Sequence, residues 1–134
     1  MSAAEELRAA AEKLRTLATE ATPGPWRQHD THLGQYGHTA TVLSGEGNDT
    51  DLRAWLPSMS QESWDEARNV WNDAAYMAAL HPGVGLALAD WLDETATEVT
   101  AAEGTEYALH PDGGAFASWE AALAVARAVN GSAS

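Results

Sequence analysis

At 134 residues the chain is long enough for one domain with its own core, about two-thirds of the unfolded surface being buried at this size. It has no cysteine, which excludes disulfides and thiolate metal sites. Its net charge of −13 argues against direct nucleic-acid binding, because that affinity comes from Lys and Arg neutralising phosphates.

The N-terminus MSAAEELRAA lacks the basic and apolar regions of a signal peptide. No apolar run approaches the roughly 18 residues of a membrane span. A cytoplasmic protein without membrane contact is the expectation. Ser2-Ala3-Ala4-Glu5 is a capping box, in which Ser2 and Glu5 satisfy each other's amides at a helix start. Leu7, Ala10, Leu14, Leu17 and Ala21 then recur every three or four residues, which predicts a helix over 3–20. Glu5 with Arg8 and Glu12 with Arg15 are spaced to pair on its outer face.

ATPGPW (21–26) ends that helix. Thr22 precedes a proline and is pushed out of the helical region. Pro23 and Pro25 lack amide donors, and Gly24 accepts positive φ. The four residues Pro23, Gly24, Pro25 and Trp26 read as a rigid corner that folds Trp26 back onto the stripe of the first helix. None of them offers an acid, base or metal ligand.

Residues 26–43, with Gly34 and Gly37, read as a β-hairpin with strands near 26–31 and 38–43. SGEGNDT is a loop, and Asp51–Leu56 a short third strand closed by Pro57. Strands this few must pack on helices. Ser58 or Ser60, or the capping box Ser63-Trp64-Asp65-Glu66, starts a second helix that runs to about Leu80, with Trp64, Ala67, Val70, Trp71, Ala74, Ala75, Ala78 and Leu80 as its apolar stripe and the Tyr76 ring in the core. Asn72-Asp73 is a point where it could break in two. His81-Pro82 stops it and opens a third helix, with His81 as a candidate cap and Pro82 in the first turn. That helix directs Val84, Leu88, Trp91, Leu92, Thr95 and Val99 inward, while Gly83 and Gly85 permit close backbone approach. Gly104 ends it. Residues 105–117 read as an extended segment with HPDGG as a turn. Ser118 caps a last helix over Trp119–Val129, which stops at Asn130-Gly131. The fold class expected is α+β: one mostly helical domain over 1–131, a small antiparallel sheet between the first two helices, and a frayed tail at 132–134.

Chemistry-bearing motifs are few. There is no P-loop, GxGxxG, GxSxG or HExxH. His29, His32 and His38 share the hairpin, but zinc needs three or four converging ligands, and spacing alone does not supply them. No metal and no cofactor is expected. Asp90, Glu94 and Glu98 lie at i, i+4 and i+8, one acidic row widened by Asp93. A solvated helix face with all four carboxylates exposed is the plain reading, and a docking face for a basic partner the functional one. The acidity is uneven: after Arg68 only Arg127 is basic, against nine acids. It serves either solubility, as in Ala-rich chains of high-G+C organisms, or attraction of a basic protein. Six tryptophans against one phenylalanine add large side chains suited to cores and to interfaces.

LRAAAEKLRTLATEATPGPW, followed further on by NDAAYMAALHPGVGLALADWLD, resembles small uncharacterised phage and prophage proteins, actinobacterial ones above all. A looser likeness runs to the Ead-type early-region accessory proteins of lambdoid phages, and ALAVARAVNG resembles the ending of some actinobacterial members. His81 stands where those proteins often carry Asn before the proline. The resemblance implies a non-enzymatic accessory protein that acts by binding another protein, and it brings no catalytic residues. Two other functions fit the residues: an acidic DNA mimic that inhibits a nuclease or defence protein, and a small metal-dependent enzyme using the hairpin histidines.

Overall fold

The computed structural model describes residues 1–31, 39–56, 64–102 and 114–131, with backbone alone at 64–69 and 114–118. Four helices, α1 (Ala3–Glu20), α2 (Trp64–Ala79), α3 (Pro82–Ala102) and α4 (Gly114–Asn130), accompany three strands, β1 (Trp26–Asp30), β2 (Ala40–Ser44) and β3 (Asp51–Leu56). The α+β expectation holds, with the sheet between the first two helices. The chain forms two compact units, 1–20 with 85–134, and 21–84.

The first unit is a helical cluster. Its start is the expected capping box: the Ser2 amide donates to Glu5 Oε2 at 3.0 Å, and the Glu5 amide to Ser2 Oγ at 3.2 Å. The core is largely alanine. Leu7, Ala10, Ala11, Ala89, Leu92, Ala96, Ala122 and Ala126 are completely buried, with Leu14, Trp91 and Val99 packed around them. Alanine faces let helix axes approach near the short end of the usual 8–10 Å range. At Gly85 the approach is close enough that an added Cβ would lie 3.3 Å from Ala18 Cβ. α1 runs antiparallel to α3: Arg8 donates to Thr100 Oγ1 near its start, and Ala18 meets Gly85 near its end. Arg127 holds the Glu6 carboxylate with two bonds of 3.3 Å, and Asn130 donates to the Glu6 carbonyl at 3.1 Å, which fixes the end of α4 on α1.

This alanine packing sets helix phases that large side chains alone mispredict. On α1 the stripe passes through Ala4, Leu7, Ala11 and Leu14, so Leu17 falls outside it and is exposed. On α3 the inward line is Ala89, Leu92, Thr95 and Ala96, while Val84, Leu88, Trp91 and Val99 are half-buried at its rim. Buried Thr95 donates its hydroxyl to the Trp91 carbonyl at 2.8 Å. Two boundaries also differ. α2 is continuous through Asn72-Asp73, and α4 begins at Gly114 rather than after Ser118. Ser118 is tolerated inside a helix whose neighbours are mostly good helix formers. The caps expected at Ser58, Ser60 and Ser63, the stop at Pro57, the rest of the HPDGG turn and the tail 132–134 lie outside the described residues.

The second unit is an antiparallel sheet ordered β1-β2-β3, with α2 on one face. Trp26 pairs with Ser44 and Asp30 with Ala40; Ala40 pairs with Leu56 and Ser44 with Asp51. Val42 faces Ala54 while the next residue, Leu43, faces Leu52, so Arg53 is an extra residue in a bulge. The register puts Trp26, Gln28, Ala40, Val42, Ala54 and Leu56 on the α2 side. There Ala40, Val42, Ala74 and Ala78 are buried, with Trp26, Val70, Trp71, Ala54 and Leu56 around them. The β2–β3 loop turns at Gly45, whose φ is +76° and where an added Cβ would lie 2.1 Å from the Asp49 carbonyl oxygen.

Replacing a core alanine with the larger residue that helix patterns favour should therefore destabilise. Ala126→Leu is expected to cost about 1–3 kcal/mol, read as a lowered urea midpoint at unchanged slope. A neutral or stabilising effect would contradict alanine-limited packing.

Candidate functional site

Each residue singled out in the sequence has a defined place or falls outside the described segments. The corner ends α1 at Glu20, as its prolines imply. Trp26 is half-buried in the core beneath α2, and its indole N–H donates to the Thr22 carbonyl at 3.1 Å. Trp26 begins β1, and strand register turns its ring to the α2 face of the second unit. Gly24 is not at positive φ; among the described residues the glycines there are Gly45, Gly47 and Gly131. Pro23 and Pro25 are exposed, and the Gly24–Pro25 peptide is cis.

What Gly24 provides is space. A Cβ there would lie 2.3 Å from His81 Nδ1, and one on Gly83 would lie 2.7 Å from His81 Cε1. The imidazole thus sits between two glycines, one from the corner and one from the first turn of α3. His81 Nδ1 accepts the Gly83 amide at 3.1 Å, so its proton is on Nε2, and the His81 carbonyl accepts the Val84 amide at 2.9 Å. His81 is the N-cap of α3, with Nδ1 taking the place an Asn side-chain oxygen fills at such a position. Its ring nitrogen is committed to the backbone, which gives it a structural task. Sequence spacing could not show this, because residues 24 and 81 are brought together only by the fold.

The acidic row is only partly a bare surface. Asp90, Glu94 and Glu98 are exposed, but Asp93 is half-buried, a departure from the expected fully solvated face. Arg15 reaches from α1 to both aspartates, 2.8 Å from Asp93 and 3.2 Å from Asp90, rather than pairing with Glu12. Hydrogen bonds to Asp93 first and Asp90 second raise the already high pKa of Arg15. The cause of the pairing is the phase of α3: with Ala89 and Ala96 innermost, Asp93 turns toward α1. Glu98 in turn accepts the Trp119 indole N–H at 3.3 Å. Glu94 has no partner among the described residues.

Among the described residues no group of three His, Asp or Glu is arranged to hold a metal. His29 is exposed on the sheet face away from α2; His32 and His38 lie outside the described residues. Asp30 is engaged otherwise, its Oδ1 accepting the Thr39 amide at 2.9 Å.

Sequence reasoning missed the exposed apolar groups, and its placing of Tyr76 in the core and Leu80 in the buried stripe is corrected, since both are exposed. On the sheet face away from α2, Leu52 and Trp55 are 55% and 59% exposed. The Arg53 bulge is why both appear on one face, three residues apart. On the outer side of α2, Tyr76, Met77 and Leu80 are 69%, 41% and 47% exposed. The signal for the second group was present: AAYMAAL is apolar around the whole helix circumference, and only one side of it reaches the sheet.

No family model, curated protein or solved structure matches the chain. No helix among the described residues is long and apolar enough to cross a membrane.

Gly24→Ala should lower stability by about 1–3 kcal/mol by displacing the imidazole, and His81→Ala by about 1 kcal/mol through the lost cap. In the His81→Ala background the Gly24→Ala cost should largely disappear in a double-mutant cycle. Additive costs would mean that the two residues do not touch. Asp90→Asn with Asp93→Asn should leave the urea midpoint nearly unchanged, because Arg15 and both carboxylates stay substantially in water. Urea midpoints at low and high salt report it, and a loss that persists undiminished at high salt would contradict a screened surface pair.

Proposed function

We infer that the chain is a non-enzymatic phage or prophage accessory protein that works by binding another, basic protein in the host cytoplasm. One observation carries the reading: large apolar side chains stand exposed on a chain of net charge −13. Scattered exposed apolar residues are ordinary, but Leu52 with Trp55, and Tyr76 with Met77 and Leu80, occur in groups on single faces. Trp and Tyr are the residues that most often anchor interfaces. The surrounding acidity favours a partner of opposite charge, speeding encounter and rejecting acidic competitors. The resemblance of ATPGPW and AAYMAALHPGVGLALADWLD to phage proteins supports the same class.

A DNA mimic is supported less well, because the row Asp90, Asp93, Glu94, Glu98 has the Arg15 cation set into it. A metal-dependent enzyme would rest on His29, His32 and His38, of which His29 alone is described.

The test is affinity capture with the purified full chain, identification of what it retains, and titration of that protein at several salt concentrations. The expected result is a basic protein whose association slows as salt rises. Stoichiometric zinc in the purified chain, or a retained neutral or acidic protein whose binding ignores salt, would overturn the reading.

A further inference from the structure

The outer side of α2 has the composition of a buried face, and among the described residues nothing covers it. Asp73, Tyr76, Met77 and Leu80 follow one another at spacings of three, one and three, a single stripe on the helix. The opposite side, Ala74 and Ala78, is what packs on the sheet. Nothing about α2 itself needs Met77 or Leu80 outside, and polar residues there would favour the helix in water equally well.

Three physical constraints define the occupant. The first is backbone chemistry. A helix face offers no free amide or carbonyl, so whatever covers it must satisfy its own backbone, which an added β-strand would not do and a helix does. The second is charge. Asp73 lies within the stripe, and the segment 21–84 holds three basic residues against eight acidic ones. A basic residue facing Asp73 would be attracted, whereas an acidic one would be repelled. The third excludes a second copy of this chain. Antiparallel pairing of two α2 stripes sets Asp73 against Leu80 of the other copy, and parallel pairing sets it against another Asp73. Either leaves a carboxylate desolvated without a partner, on two molecules that each carry −13.

We propose that the Asp73–Tyr76–Met77–Leu80 face of α2 is the docking site for an amphipathic, basic helix of another protein. The proposal rests on the protein-binding reading and deepens it by assigning the surface and the kind of segment it takes. Leu80 and Met77 enter between the apolar side chains of the partner helix, with the flexible thioether adapting to their shape. Tyr76 covers the contact with its ring while its hydroxyl stays in water. Asp73 fixes register by pairing with a Lys or Arg. The stripe spans two helical turns, about 11 Å, so the contact lies at the small end of specific interfaces and its affinity is on the order of micromolar.

The probe is a synthetic peptide of about five turns with Leu at i, i+3, i+4 and i+7 positions and Lys elsewhere, titrated calorimetrically into the full chain. A second peptide carries Glu in place of Lys. The Lys peptide should bind and the Glu peptide should not. Met77→Gln with Leu80→Gln should weaken binding about tenfold, with circular dichroism and melting unchanged. Asp73→Asn should weaken it about threefold and flatten its salt dependence. Leu17→Gln, at an exposed position on α1, should leave it unchanged, and Leu52→Gln with Trp55→Gln reads out the competing apolar group on the sheet. If the M77Q/L80Q chain melts early, Tyr76→Ser supplies the same test at a more exposed position. Weakening by the sheet variant and not by the α2 variants would overturn the proposed site while leaving the protein-binding reading intact. Failure of the Lys peptide to bind would overturn the proposed site, whereas affinity capture that retains no basic protein would overturn the protein-binding reading as well. A dimer in sedimentation that M77Q/L80Q dissolves would overturn the choice of partner in favour of a second copy.

Discussion

Close approach between alanine faces is the constraint from which most of this structure follows. In the helical unit, Ala10, Ala11, Ala89, Ala96, Ala122 and Ala126 are all completely buried, and only Leu7 and Leu92 are large among the fully buried members. In the sheet unit, Ala74 and Ala78 of α2 meet Ala40 and Val42 of β2. Alanine loses no side-chain entropy on burial and is the best helix former, so such faces are cheap to order. What each gives up in apolar area is offset by near backbone-to-backbone contact and the dispersion it brings. Once the centre is alanine, larger residues have no room there. Trp26, Trp71, Trp91 and Val99 take the rim, and Leu17, Tyr76, Met77 and Leu80 stay outside.

Element existence was legible because its signals are local. The Ser2–Glu5 box, the prolines of ATPGPW, the alternation in the hairpin and His81-Pro82 each act within a few residues, and α1, the three strands and the α2–α3 break fall where they imply. Helix phase was less legible. Ranking apolar residues by size placed Leu17 inside α1 and Val84, Leu88, Trp91, Leu92, Thr95 and Val99 inward on α3; Leu92 and Thr95 are buried, but Ala89 and Ala96 took the places of the other four, which are half-buried. That rotation also turned Asp93 toward Arg15, so one misjudged phase accounts for the acidic row's being part of an inter-helix ion pair. The fit of His81 between Gly24 and Gly83 was not legible at all, since it depends on a contact across fifty-seven positions of sequence. The Arg53 bulge was equally hidden, and with it the placement of Leu52 and Trp55 on one face.

The functional account grows from the same constraint. A helix such as α2 that seats itself on a sheet through alanines leaves its bulky apolar residues free to meet something else. On the proposed reading, folding and recognition are carried by opposite sides of one helix. Ala74 and Ala78 serve the first; Tyr76, Met77 and Leu80 are available for the second. On the same reading the negative charge would work on the encounter and on the choice of partner, for it contributes little to the fold where it is exposed.

Alanine-methyl labelling with nuclear Overhauser measurements tests the central claim most directly, because it reads which side chains touch in each core. The expected result is a network of methyl contacts linking Ala10 and Ala11 to Ala89, Ala96, Ala122 and Ala126, and a second linking Ala74 and Ala78 to Ala40 and Val42. Leu17 and Leu80 methyls should show no contact with either network. Leu17 or Leu80 methyls in contact with the core, with the alanine methyls facing water instead, would contradict the account.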